Sequence, residues 1–246
     1  MTHMKKLQML LALLFATTML QHIQAQTKST QTSTPNIVLI FMDDMGYADP
    51  EVYGGMPYHT PNINKLAASG MRFTNFYAAQ AVCSASRAAL LTGCYPNRLS
   101  ISGALMPWST VALNPEEQTI AKIVKTKGYA TGMIGKWHLG AKAPYLPTSY
   151  GFDRYFGLPY SNDMWPVGYD GIAIKDTADK KFKYPTLQLL DGFNPVMAIN
   201  TLEDQAKLTT LYTEQAVDFI NANKKKPFFL YLAHSMPHVP IAVSSK

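Results

Sequence analysis

The sequence predicts an α/β fold: a mostly parallel sheet with helices on both faces. Three observations carry that reading. Asn36–Met42 and Pro227–Ala233 are continuous apolar runs of strand length, as found in strands buried on both faces of a parallel sheet. Helical stretches alternate with the candidate strands, the pattern of βαβ units. Each confident strand also ends in polar, reactive residues, and open α/β sheets collect ligands at those ends.

Taken in order, residues 1–25 read as a secretory signal peptide. Lys5-Lys6 make its positive start, Leu7–Leu20 its apolar stretch, and Ala25 the cleavage position. That stretch is short for a membrane span and gives way to Gln21-His22, so stable membrane insertion is not expected. The protein is expected to be exported, periplasmic or secreted. Residues 26–35, rich in Thr, Ser and Gln, form a flexible mature N-terminus. The first strand, Asn36–Met42, is expected at the centre of the sheet. Thr60-Pro61 starts a helix that runs through Leu66 and stops at Gly70.

Met71–Tyr77 is a short strand candidate, and Ser84–Thr92 a helix closed by Gly93. Asn114-Pro115-Glu116-Glu117 opens another helix, with Ile120, Ile123 and Val124 as its apolar stripe and Gly128 as its stop. Tyr129–Ile134 returns as a strand. Gly151–Asp191, rich in Gly, Pro and Tyr, is expected to be an irregular surface excursion with short hairpins. Leu202–Ala222 is a long helix with Leu208, Leu211, Tyr212, Ala216, Phe219 and Ile220 on one face. Pro227–Ala233 is the last strand, and no capping element is visible after it. Residues 36–246 therefore read as an incomplete domain.

Composition bounds the function. With 47% apolar and 15% charged residues in 246, the chain supports a sizeable core. The net charge of +6, two units of it from Lys5 and Lys6, suits an anionic substrate. Only Lys224-Lys225-Lys226 clusters, as a solvated helix end does, so no nucleic-acid partner is expected. Two cysteines are too few for a disulfide scaffold.

Cys83 stands at the start of a helix, with Arg87 one turn later on the same face. Helix N-termini favour anions, so this is a candidate oxyanion site bearing a nucleophile. Cys83 as a buried small hydrophobe, or paired with Cys94, is the structural alternative. Asp43-Asp44 follows the first strand, and adjacent carboxylates call for a hard divalent cation unless they only cap backbone groups. In Gly135-Lys136-Trp137-His138, the lysine and histidine project to one side, fit to bind an anion and handle a proton if they are more than surface residues. The last strand delivers His234 and His238 to the same sheet edge.

From Asn36 to Pro240 the chain resembles the N-terminal half of a type I sulfatase of the arylsulfatase group, in the alkaline-phosphatase-like superfamily. The resemblance rests on Asn-Ile-Val-Leu-Ile-Phe-Met-Asp-Asp-Met-Gly-Tyr, Thr-Pro-Asn-Ile-Asn-Lys-Leu-Ala and Cys-Ser-Ala-Ser-Arg. Gly-Lys-Trp-His-Leu-Gly, Gly-Leu-Pro-Tyr-Ser-Asn-Asp and Pro-Phe-Phe-Leu-Tyr-Leu-Ala-His continue it in order. It implies an alkaline-phosphatase-like fold, incomplete at the C-terminus, with residues 36–246 the N-terminal part of the catalytic domain.

The resemblance further implies hydrolysis of sulfate esters, on a sulfated small molecule or sulfated glycan, with residues 1–246 by themselves expected to be an incomplete, weakly active or inactive fragment. Cys83 would be oxidised to formylglycine by a maturation enzyme, and one calcium ion would be held by Asp43, Asp44 and residue 83. Arg87 would stabilise charge, Lys136, Ser161 and His238 would bind sulfate, and His138 would take a proton from the hydrated aldehyde. His238 is the candidate acid for the leaving alcohol. The family's modification motif usually reads Cys-x-Pro-x-Arg, and here Ala85 replaces the proline. A phosphoester or phosphonate monoester hydrolase of the same superfamily, or a non-catalytic truncated product, are the competing readings.

Overall fold

The computed structural model describes residues 34–55 and 57–244. The expected signal peptide, and residues 26–33 of the expected flexible N-terminus, lie outside the described residues. A compact unit begins at Pro35. Its sheet holds β1 (Ile37–Phe41), β2 (Ala130–Gly135), β3 (Arg154–Gly157), β4 (Leu187–Asp191), β5 (Asn194–Ile199) and β6 (Phe228–Ala233), in the order β1-β6-β2-β3-β4-β5. The four strands from β1 to β3 pair in parallel, while β4 and β5 are antiparallel additions. The mostly parallel α/β sheet is as expected.

Period-two alternation assigns the faces. In β6, Phe229, Tyr231 and Ala233 join a core with Ala85, Ala88 and Leu91 of α2 (Cys83–Thr92) and Ala121 of α3 (Ile120–Lys125), α1 being Pro61–Ser69. Phe228, Leu230 and Leu232 face the other way, onto Leu208, Tyr212, Ala216 and Phe219 of α4 (Leu202–Asn223). Helices therefore cover both faces at β6 and β2. Burying each large side chain contributes about 1.5–3 kcal/mol, and β6, buried at every position, is the spine of both cores.

Several expectations needed correction. β1 is an edge strand among the described residues, not a central one. Ile37, Leu39 and Phe41 pack on the α2 side, but Val38 and Ile40 are 45% and 53% exposed, with no helix over them among the described residues. Residues 71–77 form no strand; the side chains of Tyr53 and Tyr47 take up the Phe73 and Thr74 carbonyls instead of a ladder. The helix expected from Asn114 starts at Ile120, because Asn114 Oδ1 accepts from the Glu116 N–H in a local turn and Thr119 provides the cap to Lys122. Ile123 of its expected stripe is exposed. Residues 151–191 are not merely irregular: they contain β3, paired to β2, and β4, whose hairpin partner β5 follows. Cys83 and Cys94 are both free thiols.

Glycines let the strand ends crowd together. Gly135 has φ +110, and a Cβ there would sit 1.8 Å from the Ala233 carbonyl oxygen. Past it the chain keeps pairing, with Lys136 N–H donating to Ala233 O (2.8 Å), Trp137 N–H to Leu158 O (2.9 Å) and His138 N–H to Pro159 O (3.1 Å). Lys136 and His138 are thereby fixed at the junction of β6, β2 and β3.

Candidate active site

The end of β1 stays zipped to the segment after β6. The His234 N–H donates to Phe41 O (2.9 Å), and the Asp43 N–H to Met236 O (3.3 Å). Asp43, 4% exposed, lies between two fully buried cations. Arg87 Nη2 is 3.1 Å from one carboxylate oxygen, and Lys136 Nζ bonds the other. Burial would raise the Asp43 carboxyl, but the charges of Arg87 and Lys136 bring it down to about 2. The Lys136 ammonium also donates to Ser161 Oγ at 2.8 Å.

Arg87 is held from three sides. Its Nη1 donates to Lys136 O (2.8 Å) and Tyr231 Oη (3.4 Å), and its guanidinium lies over the Phe41 ring at 5.2 Å. Tyr231 and Phe41 were not singled out in the sequence. The signal was available in the strand period, which sends both to the face that α2 covers.

Cys83 is the first residue of α2, as expected, and no side chain caps that end. The positive end of the helix dipole thus opens beside Asp43 and Arg87. His238 reaches the same point, where its side chain hydrogen-bonds Cys83, its Nε2 lies 3.5 Å from Asp44, and its Nδ1–H donates to Val239 O (2.6 Å). Burial opposes its charge, yet the Cys83 hydrogen bond, with the Val239 carbonyl and the Asp43 charge, lifts it to about 9. The cleft beside these groups, about 430 Å³, is lined by Asp43, Asp44, Gln80 and Cys83 among others.

Counting charges at neutral pH, Arg87, Lys136 and His238 outnumber Asp43 and Asp44 by one. The arrangement favours an anion at the mouth of α2. The ligand atoms that cluster within 4.8 Å belong to Asp43, Cys83 and His238. Asp44, expected in that cluster, is outside it: its side chain is 66% exposed and pairs with His238. A left-handed backbone at φ 59 turns Asp44 away from Asp43.

His138 is buried beside the cluster, and its Nε2 bonds Leu105 O at 2.8 Å. Burial, then the charges of Lys136 and Arg87, push its pKa well below the usual value, so the ring is neutral. Its Nδ1 is buried without a hydrogen-bond partner. His234 is buried against the Tyr212 ring, 6.2 Å between centroids. Among the described residues no helix is long and apolar enough to cross a membrane.

Residues 35–246 match the family model described as "Sulfatase". The chain is 39% identical to human (Homo sapiens) arylsulfatase A over 222 residues, covering 84% of this chain and 42% of the relative. Among solved structures, the PsFucS1 sulfatase from Pseudoalteromonas sp. superposes with a TM-score of 0.74 at 32% identity, covering 91% of this chain and 47% of that one. Ps i-CgsB, solved in complex with k-i-k-neocarrahexaose, gives 0.69 at 34% identity, covering 85% and 46%. The chain thus spans under half the length of these relatives, and the two solved structures share its alkaline-phosphatase-like architecture. A matched family model over nearly all described residues, together with those identities, settles its kinship: the chain belongs to the sulfatase family.

Proposed function

We propose that this chain carries the anion-binding, nucleophile-bearing part of an exported sulfuric ester hydrolase acting on a sulfated carbohydrate. The observation that supports it most is the convergence of Arg87, Lys136 and His238 on Asp43 and Cys83 at the N-terminus of α2. A cluster with one net positive charge beside a helix start suits the single negative charge of a sulfate ester. The carbohydrate preference leans on the oligosaccharide bound to the Ps i-CgsB neighbour.

In this reading Cys83 is converted by a maturation enzyme to formylglycine, whose hydrated form supplies the nucleophilic oxygen. Lys136 and His238 hold the sulfate oxygens, and Ser161 fixes the Lys136 ammonium through their hydrogen bond. Arg87, rigid between Asp43, Lys136 O and Tyr231, stabilises charge developing at position 83. His138 offers its unpartnered Nδ1 as the base, and His238, seated at the mouth of α2 beside position 83, is the acid for the leaving alcohol.

Asp43 and Asp44 offer hard oxygens that suit calcium, and an oxygen at position 83 adds a third donor. Calcium takes about six to eight oxygens, so the rest come from other groups. When bound, the ion would polarise the sulfate oxygens.

The test compares initial rates on an aryl sulfate and an aryl phosphate, using protein matured in its native host. Sulfate turnover that a Cys83→Ala variant abolishes is expected. Turnover of the phosphate ester alone would favour the phosphoester hydrolase reading, and none of either, in protein whose position 83 is converted, would favour the non-catalytic one.

A further inference from the structure

We propose that Ser84 is a positioning residue for His138: by anchoring the backbone of Leu105, together with Ser109 on the next peptide unit, it favours the imidazole tautomer that leaves Nδ1 free as a base. The two bonds share one peptide residue. Ser84, fully buried, accepts the Leu105 N–H at Oγ (3.0 Å), and the Leu105 carbonyl lies 2.8 Å from His138 Nε2. A carbonyl only accepts, so Nε2 carries the proton. A neutral imidazole has a single N–H, so Nδ1 holds a lone pair, buried and unpartnered.

The tie comes from the element that presents the nucleophile. Ser84 follows Cys83 directly in α2, and just before that helix Gln80 Nε2 donates to Ser102 O at 2.6 Å. The 102–105 segment is thus held at both ends by side chains from residues 80–84. On the other side, the His138 backbone is fixed by its bond to Pro159 O and by a left-handed φ of 61. Base and nucleophile are thereby referenced to the same turn of helix.

Without the Ser84 anchor the Leu105 N–H loses its buried acceptor, and the peptide unit bearing the Leu105 carbonyl is left with only its other tether, the Met106 N–H to Ser109 Oγ bond (2.8 Å), so the carbonyl drifts more easily from Nε2. The ring then samples the Nδ1–H form, which has no lone pair to offer at Nδ1. One hydrogen bond of ordinary strength biases the tautomers by about fivefold to tenfold. The consequence for catalysis rests on the sulfatase reading; the tautomer itself does not.

The test is ring-nitrogen NMR on the chain carrying ¹⁵N-histidine, with His138 assigned by a His138→Gln variant. The wild type is expected to show a protonated Nε2 and an unprotonated Nδ1. Ser84→Thr, which keeps the hydroxyl, should match it. Ser84→Ala should shift the two signals toward each other, as should Ser84→Cys, which keeps the volume but offers only a weak acceptor should the alanine variant not fold. In matured enzyme, Ser84→Ala should lower kcat about twofold, as the Nε2–H form falls from about nine-tenths to about half of the population, with KM unchanged, and threonine should restore it. An Nδ1–H ring in the wild type, or a ring spectrum unchanged in both Ser84→Ala and Ser84→Cys, would overturn the proposal. The expected spectra without sulfate-ester turnover would uphold the positioning and count against the function instead.

Discussion

Replacing Asp43 with asparagine should reveal how much of the site is held together by one carboxylate. Asp43 is 4% exposed and sits between Arg87 and Lys136, both fully buried. Taking away its charge leaves two cations facing each other out of water, and breaking a buried pair in this way costs about 3–5 kcal/mol. With a urea m-value of about 2–3 kcal/mol/M for a chain of this size, the midpoint should fall by about 1–2.5 M. Lys136→Met is the internal control. It leaves Asp43 paired with Arg87 at 3.1 Å and fills the lysine's volume with an apolar chain, so it should cost less than about 2 kcal/mol. Equilibrium unfolding in the presence of a chelator reads both without any metal contribution.

The pH dependence has a definite sign. The folded Asp43 pKa lies at about 2 against 3.8 for the free group, so its contribution is complete above that ordinary value and fades as the pH falls toward 2. The Asp43→Asn deficit should therefore be constant from about pH 5 to about pH 8. A variant whose midpoint stays within about 0.3 M of the wild type would refute the reasoning.

Other expectations follow from the same structure. Arg87→Lys should destabilise by about 1–3 kcal/mol, because an ammonium cannot serve Asp43, Lys136 O and Tyr231 together; differential unfolding checks it. Gly135→Ala should abolish the fold, since its Cβ would collide with the Ala233 carbonyl, whereas Gly93→Ala, with open space around it but φ +71, should cost only about 1 kcal/mol. Circular dichroism of the two variants separates them. Calcium at about a hundredfold over its Kd should stabilise the wild type by about 2.7 kcal/mol, and a Asp43→Asn, Asp44→Asn double variant not at all; thermal melts with and without chelator read the difference.

Much of the fold was legible because buried strands and long helices announce themselves. β2, β6 and α4 carry unbroken apolar runs or a clear stripe, and each stands within a residue or two of its expected bounds. β3 was missed because Arg154–Gly157 is four residues long in a Gly- and Tyr-rich setting, and its partner β2 lies far back in the chain. β5 was missed for a related reason, since Pro195 marks it as an edge that composition alone reads as loop. β1 misled in the opposite direction. Its apolar composition fits two covered faces, yet composition does not say which neighbours a strand has, and Val38 and Ile40 stand exposed.

At the site, Cys83, Arg87, Asp43, Lys136 and His238 could be singled out because strand ends and a helix start bring them to one edge. Ser161 came only through the family resemblance. Asp44 showed that adjacency in sequence does not mean equal surroundings: a left-handed backbone leaves its side chain exposed and paired with His238, while Asp43 is buried between Arg87 and Lys136. What no sequence pattern could show is the work of backbone groups. The Leu105 carbonyl that sets the His138 ring, and the Lys136 carbonyl that holds Arg87, are chemically the same in every residue. Only their placement gives them a role.

The central claim is that position 83 becomes the nucleophile of a sulfuric ester hydrolase, and its most direct test is the mass of the tryptic Phe73–Arg87 peptide from protein made in the native host. The peptide should carry the aldehyde of formylglycine at position 83, despite Ala85 in the motif. An intact cysteine thiol throughout the population would contradict the account.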